Sequence, residues 1–318
     1  MTSSDRRMRA SATASAPASI GNVGVGFDVL GLAFDAVRDQ VTAHREAEPG
    51  VRLGRVSGLV NDLPSETSRN CALAAAQAVL DKAGASFGCR IDIVKGVPLS
   101  AGMGGSAASA VAAAGAVNAL LDTPMPVADL LLPAMQGERV SADPPPWDNV
   151  MAALLGGLVI AARLDPPLIR RLPLPDDIAC LLFHPDRKTE TQHARALLSA
   201  TTSKDTAVEH ARNIASFVAG CASNDVELIA SGLRDVFIEP QRLPLLPELS
   251  QVQAAALEAG ALGCSFSGSG PSVFAWAPED RAEAVAAAMA AAFASADCAA
   301  TPYRAPLISD GLRLETLS

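Results

Sequence analysis

The sequence predicts an α+β fold in two domains. Three observations carry that prediction: the length, the order of strand-like and helix-like patterns, and a proline-rich stretch near the middle of the chain. At 318 residues the chain holds about two domains of the usual ~150 residues, each long enough to bury a core. Arg163 to Pro175 contains Pro166, Pro167, Pro173 and Pro175 and reads as the boundary, giving one domain over 1–163 and a second over 164–318.

The elements follow in chain order. Ile91 and Ile93 alternate with Arg90 and Asp92, the period of a half-buried strand. A glycine-rich loop follows it, and Ser106 to Leu121 has the length and residue types of a helix, stopped by Asp122, Pro124 and Pro126. Gly96 to Leu121 carries no charge for 26 residues, yet Pro98, Gly102, Gly104 and Gly105 break its first half, so it reads as a loop entering a buried helix and not as a membrane span. Met125 to Gln136 forms a short helix, Gly137 to Trp147 a loop with three successive prolines, and Asp148 or Asn149 sits where an N-cap would start the next helical turn. Beyond the boundary come a strand at Ala179 to Phe183 and helices near Thr191 to Leu198, Asp205 to Ala222, Asn224 to Phe237 and Glu248 to Ala259. A strand at Pro271 to Trp276, a helix at Glu279 to Ala294 and a C-terminal strand complete the pattern.

Composition narrows the function. Hydrophobic residues are 49% and charged residues 19%, the balance of a folded soluble protein. The formal charge is −9, from 25 Lys+Arg against 34 Asp+Glu, so no field concentrates nucleic acid or an anionic membrane. Any anionic ligand must be small and locally held. Six dispersed cysteines include no C-x-x-C pair, the four histidines lack metal-site spacing, and residues 1–16 lack the apolar stretch of a secretory signal. A reducing cytoplasm is the simplest compartment.

Three glycine-rich places invite ligands. In Pro98-Leu99-Ser100-Ala101-Gly102-Met103-Gly104-Gly105-Ser106-Ala107, glycines let the backbone approach a ligand, and the following helix offers free N–H groups. Polyphosphate suits that geometry, although a glycine turn that merely packs a small-residue helix has the same sequence. No Gly-Lys pair makes it a Walker A loop, and no G-x-G-x-x-G makes it a dinucleotide fingerprint. In Pro17 to Asp28, Asn22 and Asp28 either satisfy local turns or receive a substrate ammonium. In Gly263 to Ser272, small residues form a hairpin turn or allow close packing against another loop.

Taken together these residues resemble the GHMP kinase superfamily and, within it, the homoserine kinases. Pro17 to Leu32 is similar to the family's opening segment, Pro98 to Ala108 to its phosphate loop, and Gly263 to Ser272 to its third motif. Asp148-Asn149-Val150, Thr191 with Arg195, and Glu239-Pro240-Gln241-Arg242 resemble further segments. The resemblance implies an N-terminal ATP-binding α+β domain, a ferredoxin-like C-terminal domain, and phosphoryl transfer from ATP with Mg²⁺ to a small alcohol, L-homoserine, in a homodimer that binds neither nucleic acid nor membrane.

It also implies roles. The loop Pro98 to Ala107 holds ATP phosphates, Asn70 meets the adenine edge, and Ser106 and Glu138 supply hard oxygens for Mg²⁺. Asn22 and Asp28 take the acceptor ammonium, Arg195 and Arg242 its carboxylate, and Asn149 its hydroxyl, while Thr191 donates to the moving phosphate. Residue by residue, plainer readings compete: Asn70 as a helix cap, Lys95 as a solvated lysine and not an ATP contact, and arginines as surface charges. Asp148 is a candidate base by adjacency, but the resemblance suggests that the proton goes directly to phosphate. Pro146 stands where the family commonly has His, and Gly105 where it commonly has Ser. The acceptor reading therefore keeps a second small-alcohol kinase, of mevalonate or threonine type, beside it, the former disfavoured because no lysine precedes Pro17. A non-catalytic binding protein on the same fold is the alternative from another class.

Overall fold

A computed structural model describes residues 9–189 and 191–317, with the side chains of Thr191 and Leu317 outside the described set. The chain opens with β1 (Ser11–Gly21), β2 (Leu30–Glu46) and β3 (Val51–Gly58), followed by α1 (Cys71–Ala83), β4 (Gly88–Lys95) and α2 (Gly105–Leu120). Then come α3 (Leu131–Glu138), α4 (Trp147–Leu155), β5 (Leu158–Leu164), β6 (Pro167–Leu172) and β7 (Ile178–Pro185). The remainder is α5 (Thr191–Ala196), α6 (Lys204–Ser223), α7 (Val226–Gly232), α8 (Glu239–Arg242), α9 (Leu249–Glu258), β8 (Gly263–Phe266), β9 (Val273–Pro278), α10 (Ala282–Ser295), β10 (Ala300–Pro306) and β11 (Arg313–Leu317).

Two sheets organise these elements, as the α+β prediction requires. The first has the order β11-β1-β2-β4-β3, and β5 and β6 extend it where β5 pairs with the start of β2. The second is antiparallel, in the order β10-β7-β9-β8. Strand β2 is long enough to serve two neighbours: Leu30 to Leu32 pairs with β5, and Gln40 to Glu46 with β4.

Helix α2 fits against the first sheet because it is built from alanines and small residues; every position from Ala107 to Leu120 is buried. A helix apolar on all sides belongs inside a core. Among the described residues no helix is long and apolar enough to cross a membrane. A second core joins the sheets, packing Cys180, Leu182, Phe274 and Trp276 against Ile20, Leu30 and Phe34 and against Phe217 of α6. Helices α9 and α10 cover the outer face of the second sheet through Leu249, Val252, Met289 and Phe293. All six cysteines are free thiols.

The structure moves three boundaries. The 163/164 division falls inside β5, and the prolines expected to form a linker make the turn of the β5–β6 hairpin, so the first sheet continues to Leu172. It also takes back β11 from beyond the second sheet. Helix α4 starts at Trp147 with Pro146 as its cap, not Asp148 or Asn149, because Asp148 turns its carboxylate away to the amide of Asn22, just past β1, and to its own neighbour. The helix predicted over 224–237 ends at Gly232; a loop capped by Asp235 follows.

Candidate active site

One cavity of about 410 Å³ collects residues from the end of β4, from the starts of α1, α2 and α4, and from loops that include the β8–β9 connection. Its first end is made of backbone. Past β4 the chain turns through Gly102 and Gly104, at φ of 72° and 65°, a region that L side chains rarely adopt. Close packing forbids a side chain here as well. A Cβ at Gly102 would lie 2.5 Å from the Ser267 carbonyl oxygen, and one at Gly104 would lie 2.0 Å from Ser19 Oγ.

Four consecutive carbonyls of this loop are held by neighbouring segments. Ser100 O accepts from Thr189 N (3.2 Å), Ala101 O from Ser272 N (3.2 Å), Gly102 O from Ser267 Oγ (2.6 Å) and Met103 O from Ser19 N (2.9 Å). The first helical bond of α2 runs from Ala108 N to Gly104 O, so the earlier amides form the open, partly positive N-terminus of a 16-residue helix. Leu99, Ser100, Ala101, Gly102 and Ser106 line the cavity. Pro98, Met103 and Ala107 do not; Met103 and Ala107 point into the cores, where they fix the loop from behind.

Beneath this loop lies a buried ion pair. Lys95 Nζ meets Asp39 and donates to Gly105 O and Ser109 Oγ, both at 3.0 Å, while Asp39 Oδ1 accepts from the amides of Gly96 and Val97. Lys95 is therefore not solvated. The antiparallel register that sets Gln40 opposite Val94 brings Asp39 beside it. Asn70 does cap α1, accepting from Ala72 N and Leu73 N, and also lines the cavity, so both readings of that residue remain compatible.

Glu138, at the end of α3, faces the start of α2. Its Oε1 accepts from Ser106 Oγ (2.8 Å) and Ser141 Oγ (2.9 Å), and its buried Oε2 has no partner among the described residues. Burial pushes its pKa up to about 7 against the pull of the two serines. An unsatisfied buried carboxylate oxygen beside a serine hydroxyl fits a hard divalent cation, with phosphate and water oxygens supplying the other ligands. No cluster of three or more His, Cys, Asp or Glu suited to a metal exists among the described residues.

The other end of the cavity is made of side chains. Asn22 and Asp28 have φ of 67° and 57°, and their turn is closed by Asp28 N donating to Asn22 Oδ1 (3.1 Å). Asp28 forms a two-pronged pair with Arg195, at 3.0 and 2.8 Å. Arg242 is buried, not on the surface; its Nη1 and Asn22 Nδ2 both donate to Gly268 O, and its Nε has no partner among the described residues. Burial, then the like charge of Arg195, pushes the Arg242 pKa down. Phe27 offers its ring to both guanidinium groups, with the Arg195 carbon 5.7 Å and the Arg242 carbon 5.3 Å from its centroid.

Asn149 sits between the two ends, its Oδ1 accepting from Ser19 Oγ (2.9 Å). Asp148 beside it is fully buried, accepting from Asn22 N on one oxygen and from Asn149 on the other; burial first and the Asp28 charge second raise its pKa to about 6. Pro146 lines the cavity, whereas Trp147 packs half-buried against the first core. Thr191 opens α5, and its side chain lies outside the described residues. Sequence reasoning missed Ser19, Asp39, Ser141 and the double contact of Phe27. None of these leaves a local signal; Asp39 sits between Arg38 and Gln40 in a strand that also carries Asp35, Thr42 and His44.

Comparison with known proteins agrees with this architecture. Residues 70–157 match the family model of the GHMP kinases N terminal domain, and residues 217–295 that of the GHMP kinases C terminal. A homoserine kinase of Xylella fastidiosa is 44% identical over 306 residues, spanning 95% of this chain and 94% of that protein; one of Xanthomonas campestris pv. campestris is 43% identical over similar shares. The crystal structure of homoserine kinase from Cytophaga hutchinsonii superposes with a TM-score of 0.93 at 35% identity, covering 99% of this chain and all of that one. The crystal structure of L. major mevalonate kinase in complex with R-mevalonate shares the fold at a TM-score of 0.69 and 16% identity, covering 97% of this chain. By this sequence likeness across nearly its whole length, and by the two domain models it matches, the chain belongs to the homoserine kinase family of the GHMP kinases.

Proposed function

We propose that this protein transfers the γ-phosphoryl group of ATP to the side-chain hydroxyl of L-homoserine, giving O-phospho-L-homoserine on the route to threonine. The observation that carries the reading is the division of one cavity: an open helix N-terminus for phosphates at one end, and an adjacent carboxylate and two guanidinium groups at the other. An α-amino acid carries its ammonium and carboxylate one carbon apart. Asp28 with Asn22 suits the first, and Arg195 with Arg242 suits the second. The names borne by the relatives support the same acceptor.

In this reading the loop amides and the α2 N-terminus hold the β- and γ-phosphates, and the acceptor charges aim the hydroxyl at phosphorus beside Asn149. Ser106 and Glu138 would hold Mg²⁺, which supplies charge neutralisation on the phosphates. The homoserine oxygen forms the new bond to phosphorus while the bond to the β,γ-bridging oxygen breaks and leaves its electron pair on ADP. Asp148 holds Asn22 and Asn149 in place with both oxygens, and its part in this reading is to position them. The hydroxyl proton passes to the transferred phosphoryl group, and positioning and electrostatics supply the catalysis. A homodimer in the cytoplasm goes with this reading, and light scattering after gel filtration tests the assembly.

An ADP-release assay with MgATP and L-homoserine, L-threonine, L-serine or mevalonate tests the assignment. Preferred turnover of homoserine, lost in Asp28→Ala and Arg242→Ala, is the expected result. Preference for a different alcohol would transfer the activity to the alternative kinase and direct attention to Pro146; ATP binding without any turnover would leave a binding protein.

A further inference from the structure

Phe27 is the one aromatic ring on the cavity wall among the described residues, and two cations converge on it. Both guanidinium carbons lie within the ~6 Å at which a ring face attracts a cation. The two arginines are unequally provided for. Arg195 has the Asp28 carboxylate, whereas Arg242 is buried with Gly268 O as its acceptor and an Nε that has no partner among the described residues. Two like charges facing one cavity repel, and that repulsion grows as water is excluded. The ring offers negative π density to both without occupying any of their N–H groups.

The chain delivers the ring and the carboxylate together. Phe27 immediately precedes Asp28, whose left-handed backbone is locked by the bond from its amide to Asn22 Oδ1. One turn thus sets the spacing of both arginines, through an ion pair on one residue and a ring on the next. We propose that Phe27 is a positioning residue for the acceptor: its ring face fixes Arg195 and Arg242 relative to one another and leaves their outer N–H groups free for a carboxylate. This inference rests on the acceptor assignment above and deepens it.

The test separates charge distribution from shape. Pentafluorophenylalanine at position 27 keeps the size of the ring and reverses its quadrupole, while Phe27→Leu removes the ring. Both are expected to raise the KM for homoserine about tenfold, with a monofluorinated ring between them and wild type, and with kcat and the KM for ATP within about twofold. An unchanged homoserine KM in the pentafluoro protein, or an equal rise in the KM for ATP, overturns the assignment. A second readout does not depend on the substrate. The pentafluoro ring should lower the melting temperature more in the wild-type background than in Arg242→Met, where Arg195 still faces the ring, and an equal drop in both backgrounds overturns the Arg242 contact. If wild type fails to turn over homoserine, the proposed function falls, and this unfolding cycle alone decides the role of Phe27.

Discussion

The two ends of the cavity are built from different materials. At the end we assign to phosphate the cavity-facing groups are main-chain amides, and side chains such as Ser267, Lys95 and Asp39 hold the loop from outside. At the end we assign to the acceptor the cavity presents charged side chains from a β-strand loop and short helices whose sequence positions, 28, 195 and 242, lie far apart. Backbone recognition depends on the path of the chain and suffers from any added atom. Side-chain recognition depends on charge and tolerates changes of shape better than changes of charge.

Substitutions ranked by expected effect test that contrast. Gly102→Ala strains a positive φ and drives a Cβ into two carbonyl oxygens, at 2.5 and 2.6 Å. It is expected to lower the unfolding free energy by about 2–4 kcal/mol and kcat/KM for ATP by about a hundredfold or more, measured by urea unfolding and steady-state kinetics. Normal activity in this variant would break the account of a backbone-built end.

Asp148 joins the two ends, and its raised pKa gives a pH dependence. Folding lifts it from 3.8 to about 6, so the folded protein holds this proton more tightly than the unfolded chain. Its contribution to stability is complete below the unfolded value and is lost as pH rises through the folded value. Compared with Asp148→Asn, wild type should lose about 3 kcal/mol of unfolding free energy between low pH and pH 7, most of it between pH 4 and 6. A constant difference across that range would show that the carboxyl is not buried.

Truncating one charge is the next largest change. Arg242→Ala should raise the KM for homoserine about ten- to a hundredfold with little change in that for ATP, and Glu138→Gln should raise the Mg²⁺ concentration needed for half-maximal rate by a similar factor while sparing homoserine binding in the absence of metal. If Arg242→Ala changed the KM for ATP equally, the two ends would not be separable. Asn70→Ala carries the smallest effect, the loss of a helix cap at about 1 kcal/mol by thermal unfolding, with a KM increase confined to ATP.

The same contrast explains what could be read in advance. A loop that works through its backbone writes its requirement into adjacent residues, so the glycine run around Gly102 and Gly104 stood out locally, although a packing turn has the same sequence and the role of Ser106 came through family likeness. The acceptor end assembles Asn22, Asp28, Asn149, Arg195 and Arg242 only after two sheets pack, and the sequence yielded these through family likeness, not local pattern. Lys95 looked solvated because its partner, Asp39, lies 56 residues earlier and becomes its neighbour only through strand register. The prolines at 166 and 167 marked a break in the chain correctly, but a hairpin turn and a domain linker use the same residues. Phe27 gave no signal, since a ring that serves two cations is identical in sequence to one that fills a core.

Strand β11 carries a consequence for synthesis. It pairs with β1, matching Ala12 with Leu317 and Ser15 with Arg313 across about 300 residues of chain. At translation rates of about 5–20 residues per second, β1 therefore waits roughly 15–60 s on the ribosome for its outer neighbour. Throughout that interval the phosphate-side sheet exposes an open edge, the kind of surface that recruits other nascent chains. Chaperone dependence during synthesis should then follow the emergence of the last strand and not the completion of the first domain.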